Sequence, residues 1–104
     1  MVEIQPEILN LVDSYILLLE KNGFNITEAY LFGSLINGKF DEWSDIDLAV
    51  VSEKFDGDRF EDKEKIRGFY RKIDDRLSIL PLNKESLDSY FIQKEVIEKG
   101  IRVH

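Results

Sequence analysis

Asp45 and Asp47 are the carboxylates of this chain whose spacing best suits chemistry, and Gly33 and Ser34 are their natural counterpart. On an extended strand, residues two apart leave the same face. Their Cα atoms then lie about 6.6 Å apart, from a rise of roughly 3.3 Å per residue. Carboxylates at that separation can converge on one divalent cation or share a pair of ions. Mg²⁺ favours such hard oxygen ligands and keeps waters that a phosphate can replace. Asp47 sits inside the apolar run IDLAVV, residues 46–51, where a charge is costly unless something pairs with it. Gly33 and Ser34 close the preceding run, ITEAYLFG. A short helix starting at Ser34 would present free N–H groups to an anion. Read singly, a D-x-D at a strand edge and a Gly-Ser turn with an N-cap are both ordinary. On neighbouring strands they make a phosphate cradle that faces a metal site.

The elements that must position these residues are legible from periodicity. Pro6 suits a first helical turn, and Ile8, Leu11, Val12, Tyr15 and Leu19 then recur on one helical face. Gly23 stands where a helix C-terminal cap is expected. ITEAYLFG predicts a strand ended by Gly33, with room for only a turn or two of helix between Ser34 and Gly38. IDLAVV predicts a second strand, buried on both faces. Ile66, Phe69, Tyr70, Ile73 and Leu77 keep helical spacing, and RLSILPL predicts a third strand with Pro81 at an edge or a strand end. Asn83 is placed to cap a final helix, KESLDSYFIQKEVIEKG, closed by Gly100. The order helix–strand–strand–helix–strand–helix predicts an α/β (α+β) fold, a small mixed β-sheet with helices packed on it.

Composition narrows the chemistry. At 104 residues the chain is expected to be a single domain spanning 1–104. It has no cysteine, so thiolate metal sites and disulfides are excluded. The one histidine is His104, the last residue, which leaves no basis for a Ser–His–Asp or multi-histidine site. Carboxylates, hydroxyls, Lys/Arg and backbone groups must carry any reaction. A net charge of −7 argues against broad nucleic-acid binding, although a bound divalent cation reverses the sign of an acidic pocket locally. No run is long enough to span a membrane, and MVEIQPEILN has no signal-peptide pattern, so a cytoplasmic location is expected.

Gly33-Ser34, ten intervening residues and Asp45-Ile46-Asp47 resemble the G-S-x(10)-D-x-D pattern of the DNA polymerase β-like nucleotidyltransferase superfamily. Length and arrangement look like its minimal nucleotidyltransferases, small prokaryotic domains often encoded beside HEPN-domain proteins. The resemblance implies the polymerase β palm-like fold and transfer of a nucleoside monophosphate from a nucleoside triphosphate, usually ATP, to an acceptor hydroxyl. It implies that Gly33 and Ser34 hold the β/γ phosphates and that Asp45 and Asp47 are catalytic and carry Mg²⁺. Relatives often have basic residues at the places of Leu35 and Asn37, which leaves Lys39 as the nearest cation for the triphosphate. Trp43, on the loop before the acidic pair, is a candidate to stack on a base, against the plainer reading that it packs over the loop.

Active members of the superfamily carry a third carboxylate on the next strand, and alignment places Ser78 there. A hydroxyl is a poor Mg²⁺ ligand and a poor base. Asp74 and Asp75 lie just before that strand and are read as a solvated acidic helix end. Two functions therefore stand side by side. One is an enzyme that nucleotidylates a small acceptor or a HEPN-type partner. The other is an antitoxin-like interaction module with weak or no catalysis. Homo-oligomerisation through an edge strand near Pro81 is a third, less specified option.

Overall fold

The computed structural model describes residues 4–38, 41, 44–70 and 73–104. Helix α1 (Pro6–Lys21) begins with Pro at its first turn and buries Ile8, Val12, Tyr15, Ile16 and Leu19. Its end is a Schellman closure. Gly23 N–H donates to Glu20 O (3.2 Å) and Phe24 N–H donates to Leu19 O (3.0 Å). Gly23 supplies the left-handed φ of +91° that this motif requires. The chain then enters strand β1 (Ile26–Phe32) and turns through a short 3₁₀ segment, Gly33–Leu35. It returns as β2 (Ile46–Ser52), passes through α2 (Arg59–Tyr70) and re-enters the sheet as β3 (Leu77–Leu82).

The four-stranded sheet has the order β3-β2-β1-β4, where β4 is the two-residue strand Ile101–Arg102. β1 runs antiparallel to β2 and to β4, while β2 and β3 are parallel. The fold is thus α+β with a mixed sheet, as the element order predicts. Strand β2 is central and every residue but Asp47 is buried, which fits its apolar sequence. One face of the sheet packs α1 and α2 against Leu31, Ile46, Leu48, Val50, Leu77 and Ile79. The other face carries a smaller core of Tyr30, Ala49, Val51 and Leu82 beneath Ile92 and Val96 of the C-terminal helix. Pro81 lies on the edge strand β3, where its missing N–H costs no central ladder bond.

Three expectations change. Helix α2 ends at Tyr70, and Leu77 belongs to β3 and not to the helical stripe. The final helix is not continuous from 84 to 100. Asn83 does cap, with Oδ1 accepting from Ser86 N–H (2.9 Å), but it caps only the 3₁₀ turn Glu85–Asp88. Ser89 then turns extended (ψ 144°) and its hydroxyl accepts from Ile92 N–H (3.2 Å), opening a new, wide-turned π-type helix, Ile92–Glu98. A polar residue that bonds its own backbone competes with helix propagation, which is why Ser89 splits the segment. Gly100 follows this helix without a left-handed φ. Its role is close approach: a Cβ there would overlap Val96 O and lie 2.7 Å from Leu31 O. That proximity lets β4 pair Ile101 with Leu31 and Arg102 with Tyr30.

Asp62 holds the connection between β2 and α2. Its fully buried carboxylate accepts from Asp56 N–H and Gly57 N–H, each at 2.9 Å, and from Lys65 Nζ at 3.2 Å. A buried carboxylate satisfied by three donors acts as a clamp on its loop. Among the described residues no helix is long and apolar enough to cross a membrane.

Candidate active site

Register brings the site together. Phe32 on β1 pairs with Asp47 on β2, and Asp47 pairs with Ser78 on β3. Directly opposed residues share a face of the sheet, so Phe32, Asp47 and Ser78 form one row. The next row, Tyr30, Ala49 and Leu80, belongs to the core under the C-terminal helix. The Asp47 row is only partly covered and opens to solvent.

Gly33 completes the corner. Its φ is +76°, and a Cβ there would overlap Asp47 Oδ2 and lie 3.1 Å from Asp47 Cγ. The carboxylate therefore rests against the glycine backbone, in space that a side chain would fill. Gly33 O accepts from Ile36 N–H (3.1 Å) and Asn37 N–H (3.0 Å), so a helical turn starts at this point. The first N–H groups of such a turn have no partner within it. The Ser34 hydroxyl makes no hydrogen bond among the described residues. Leu35 is buried in the core and Asn37 is exposed. Lys39 and Trp43 lie outside the described residues.

Asp45 stands immediately before β2, exposed, and is not a strand residue as the D-x-D reading assumed. Two anchors fix its neighbourhood. Ile46 N–H donates to Arg76 O at 2.8 Å, and a turn joins Asp41 to Ser44 through Ser44 N–H and Asp41 O (3.1 Å). Asp45 lies near enough for its charge to act on Asp47. The Asp47 pKa is raised above the ordinary carboxylate value, first by burial and then by the Asp45 charge, and a hydrogen bond from Ser78 opposes the shift. Burial and a neighbouring negative charge thus both disfavour the ionised form of Asp47.

Ser78 thus occupies the place facing Asp47 that the alignment gave it. Asp74 does not stand in for the missing carboxylate. Arg76 Nε donates to its Oδ1 (3.1 Å) and an Arg76 terminal nitrogen donates to its Oδ2 (3.0 Å), holding the Asp74 pKa below the usual range. Asp75 is exposed. Among the described residues no three His, Cys, Asp or Glu side chains cluster as a metal site. The donors on the open row are the Asp47 carboxylate and the Ser78 hydroxyl, with the exposed Asp45 two residues before Asp47.

Sequence reasoning passed over Arg59 and Lys63 of α2 and Phe91, which border the same row. They line a depression of about 220 Å³ together with Phe32, Ser78 and Leu80. Their signal was a basic pair spaced by one helical turn, R-x-x-x-K, at the start of α2. Arg67 is exposed and paired with Glu64 (3.0 Å), while Arg71 and Lys72 lie outside the described residues.

The solved structures similar to this chain share its fold. One, from Sulfolobus solfataricus and described as a nucleotidyltransferase, superposes with a TM-score of 0.63 at 18% identity, over 92% of this chain and 78% of its own. A toxin–antitoxin structure with AMP-PNP gives 0.58 at 23% identity, over 92% and 72%. A mutant toxin–antitoxin MntA–HpeT gives 0.56 at 22% identity, over 88% and 71%. The comparison with curated proteins finds no match. The family model described as "Polymerase beta, Nucleotidyltransferase" matches residues 15–104, from the middle of α1 through the Gly33–Asp47 corner and β3 to the last residue, and the chain belongs to that family.

Proposed function

We propose that this domain transfers a nucleoside monophosphate from a nucleoside triphosphate, ATP in the first instance, to a hydroxyl of an acceptor, and that the acceptor is a partner protein of the HEPN type. The observation that carries the reading is the corner itself: Gly33 on the Asp47 carboxylate, with Asp45 beside it and Ser78 across from it. The toxin–antitoxin assemblies among the similar folds, one of them with AMP-PNP, support a protein partner and a nucleotide.

The residues fit Mg²⁺. That ion is commonly held by one or two carboxylates plus substrate phosphates and does not need an all-protein cage. Asp45 and Asp47 supply the two, and the burial and neighbouring charge that disfavour an ionised Asp47 are what a divalent cation would relieve. When bound, Mg²⁺ neutralises developing charge on the transferring phosphate. The chain's own contribution is positional. Gly33 admits the phosphates against the backbone, and the Ser34 hydroxyl and the free N–H groups of the turn bind them. Asp45 and Asp47 would hold the ion, whose charge would keep the α-phosphate beside the attacking oxygen. The acceptor oxygen forms a bond to the α-phosphorus, the bond to the bridging oxygen breaks, and pyrophosphate leaves. Ser78 faces Asp47 across the strands, and its hydroxyl favours the ionised carboxylate. It cannot accept the acceptor's proton, which leaves to water at the open row.

Ser78 also favours a second reading, an interaction module in which the site binds nucleotide but turns over slowly. Incubation with α-labelled ATP, Mg²⁺ and the protein encoded beside it separates the two. Label on the partner, lost in Asp45→Asn, supports the enzyme; tight nucleotide binding without transfer supports the module.

A further inference from the structure

The groove beside Ser78 has a chemistry of its own. Arg59 and Lys63 lie four residues apart, so both side chains leave the same side of α2. Neither makes an ion pair among the described residues. That is notable in a chain with 21 acidic and 14 basic residues. Their neighbours Lys65 and Arg67 are paired, with Asp56 and Asp62, and with Glu64. Phe91, 51% exposed, lines the same depression, and the preceding Tyr90 is 79% exposed. Unpaired positive charge and an exposed aromatic lining one depression suit an anionic segment with apolar character. Ser78 belongs to the groove and to the Asp47 row alike, so an occupant's end at Ser78 arrives beside the carboxylates.

On the reading that this face transfers nucleotidyl groups, we propose that the groove docks an acidic, hydroxyl-bearing segment of the partner protein and delivers its hydroxyl to Asp47. The occupant is a peptide and not a polynucleotide. A long polyanion would meet the net negative charge of the whole chain, whereas a short acidic segment meets the two cations among the groove's lining residues, Arg59 and Lys63.

The test uses fluorescence anisotropy with a fluorescein-labelled Glu-rich peptide carrying one tyrosine, its Lys-rich counterpart and a labelled oligoadenylate. The Glu-rich peptide is expected to bind, more weakly as salt rises, and to lose about tenfold or more in affinity in the double variant R59E/K63E. The charge reversals lie on exposed positions of α2, and circular dichroism checks that the variant is folded. No binding of that peptide, equal binding by R59E/K63E, or preference for the oligoadenylate overturns the proposal. Transfer of label from ATP, measured in parallel, keeps the two claims separate. Wild-type binding that depends on Arg59 and Lys63 without any transfer supports the groove and overturns the transfer reading alone. Transfer to the partner protein that R59E/K63E leaves unchanged overturns the groove alone.

Discussion

Gly33 and Asp47 are in such close contact that a methyl group on the Gly33 α-carbon would overlap Asp47 Oδ2. A left-handed backbone and a partly desolvated carboxylate are both unfavourable in isolation, and here they occupy the same corner. Gly33→Ala should therefore cost stability twice, through φ at about 1–2 kcal/mol and through displacement of Asp47. A melting temperature lower by roughly 4–8 °C is expected for each 1 kcal/mol in a domain of this size. Part of that loss should return in Gly33→Ala combined with Asp47→Ala, because the overlap then disappears. Additive losses in the double variant would show that the two residues do not press on each other.

The surroundings of Asp47 disfavour its ionised form, first by burial and then by the Asp45 charge. Its pKa is raised in the folded protein, so between the unfolded and folded values the native state binds more protons than the unfolded one. Stability then falls as pH rises through that window, and the deficit is complete above the folded value. Asp47→Asn removes the titration at nearly constant shape. Without metal, it should melt above wild type at neutral pH, and the difference should shrink as pH falls through the raised folded value and vanish below the ordinary carboxylate range. The same variant should lose nucleotidyl transfer by at least about a hundredfold, the usual trade between a stable site and a working one. Melting curves across pH, beside an activity assay, check both halves.

Ser78→Asp tests the missing ligand. A third carboxylate facing Asp47 should lower the melting temperature without metal, by like-charge repulsion, and enlarge the stabilisation that Mg²⁺ gives. If the present hydroxyl limits turnover, transfer should rise by about tenfold or more. Unchanged transfer would place the limit elsewhere in the site.

The Asp74–Arg76 pair locks the loop before β3, whose Arg76 carbonyl also receives Ile46 N–H. Asp74's pKa is depressed when folded, chiefly by the Arg76 side chain. Its contribution is thus present above the unfolded value, near 3.8, and is lost as pH falls through the lower folded value. Arg76→Gln should flatten that acid limb of the stability curve while changing neutral stability little, since the pair is partly exposed. Acid titration of the melting temperature for both proteins measures it.

The corner was legible in the sequence because strand period and glycine chemistry are local rules. Asp47 shares a row with Phe32 and Ser78 once the apolar runs are set side by side, and Gly33 is where a strand must turn sharply. What escaped was decided by distant contacts or by single hydrogen bonds. Strand β4 is two residues long and exists because Gly100 lets the chain touch Leu31, which no periodicity announces. Ser89 reads as helix interior until its hydroxyl is seen on Ile92 N–H. Arg59 and Lys63 look like any solvated helix face, and only the folded sheet brings them to Ser78.

The account stands on the acidic pair and the glycine turn forming one nucleotide and metal site. Isothermal titration of the protein with AMP-PNP, with and without Mg²⁺, tests it most directly. Binding that requires Mg²⁺ and disappears when Asp45 and Asp47 are both changed to Asn is the predicted result. Absence of binding, or binding indifferent to those substitutions, would contradict it.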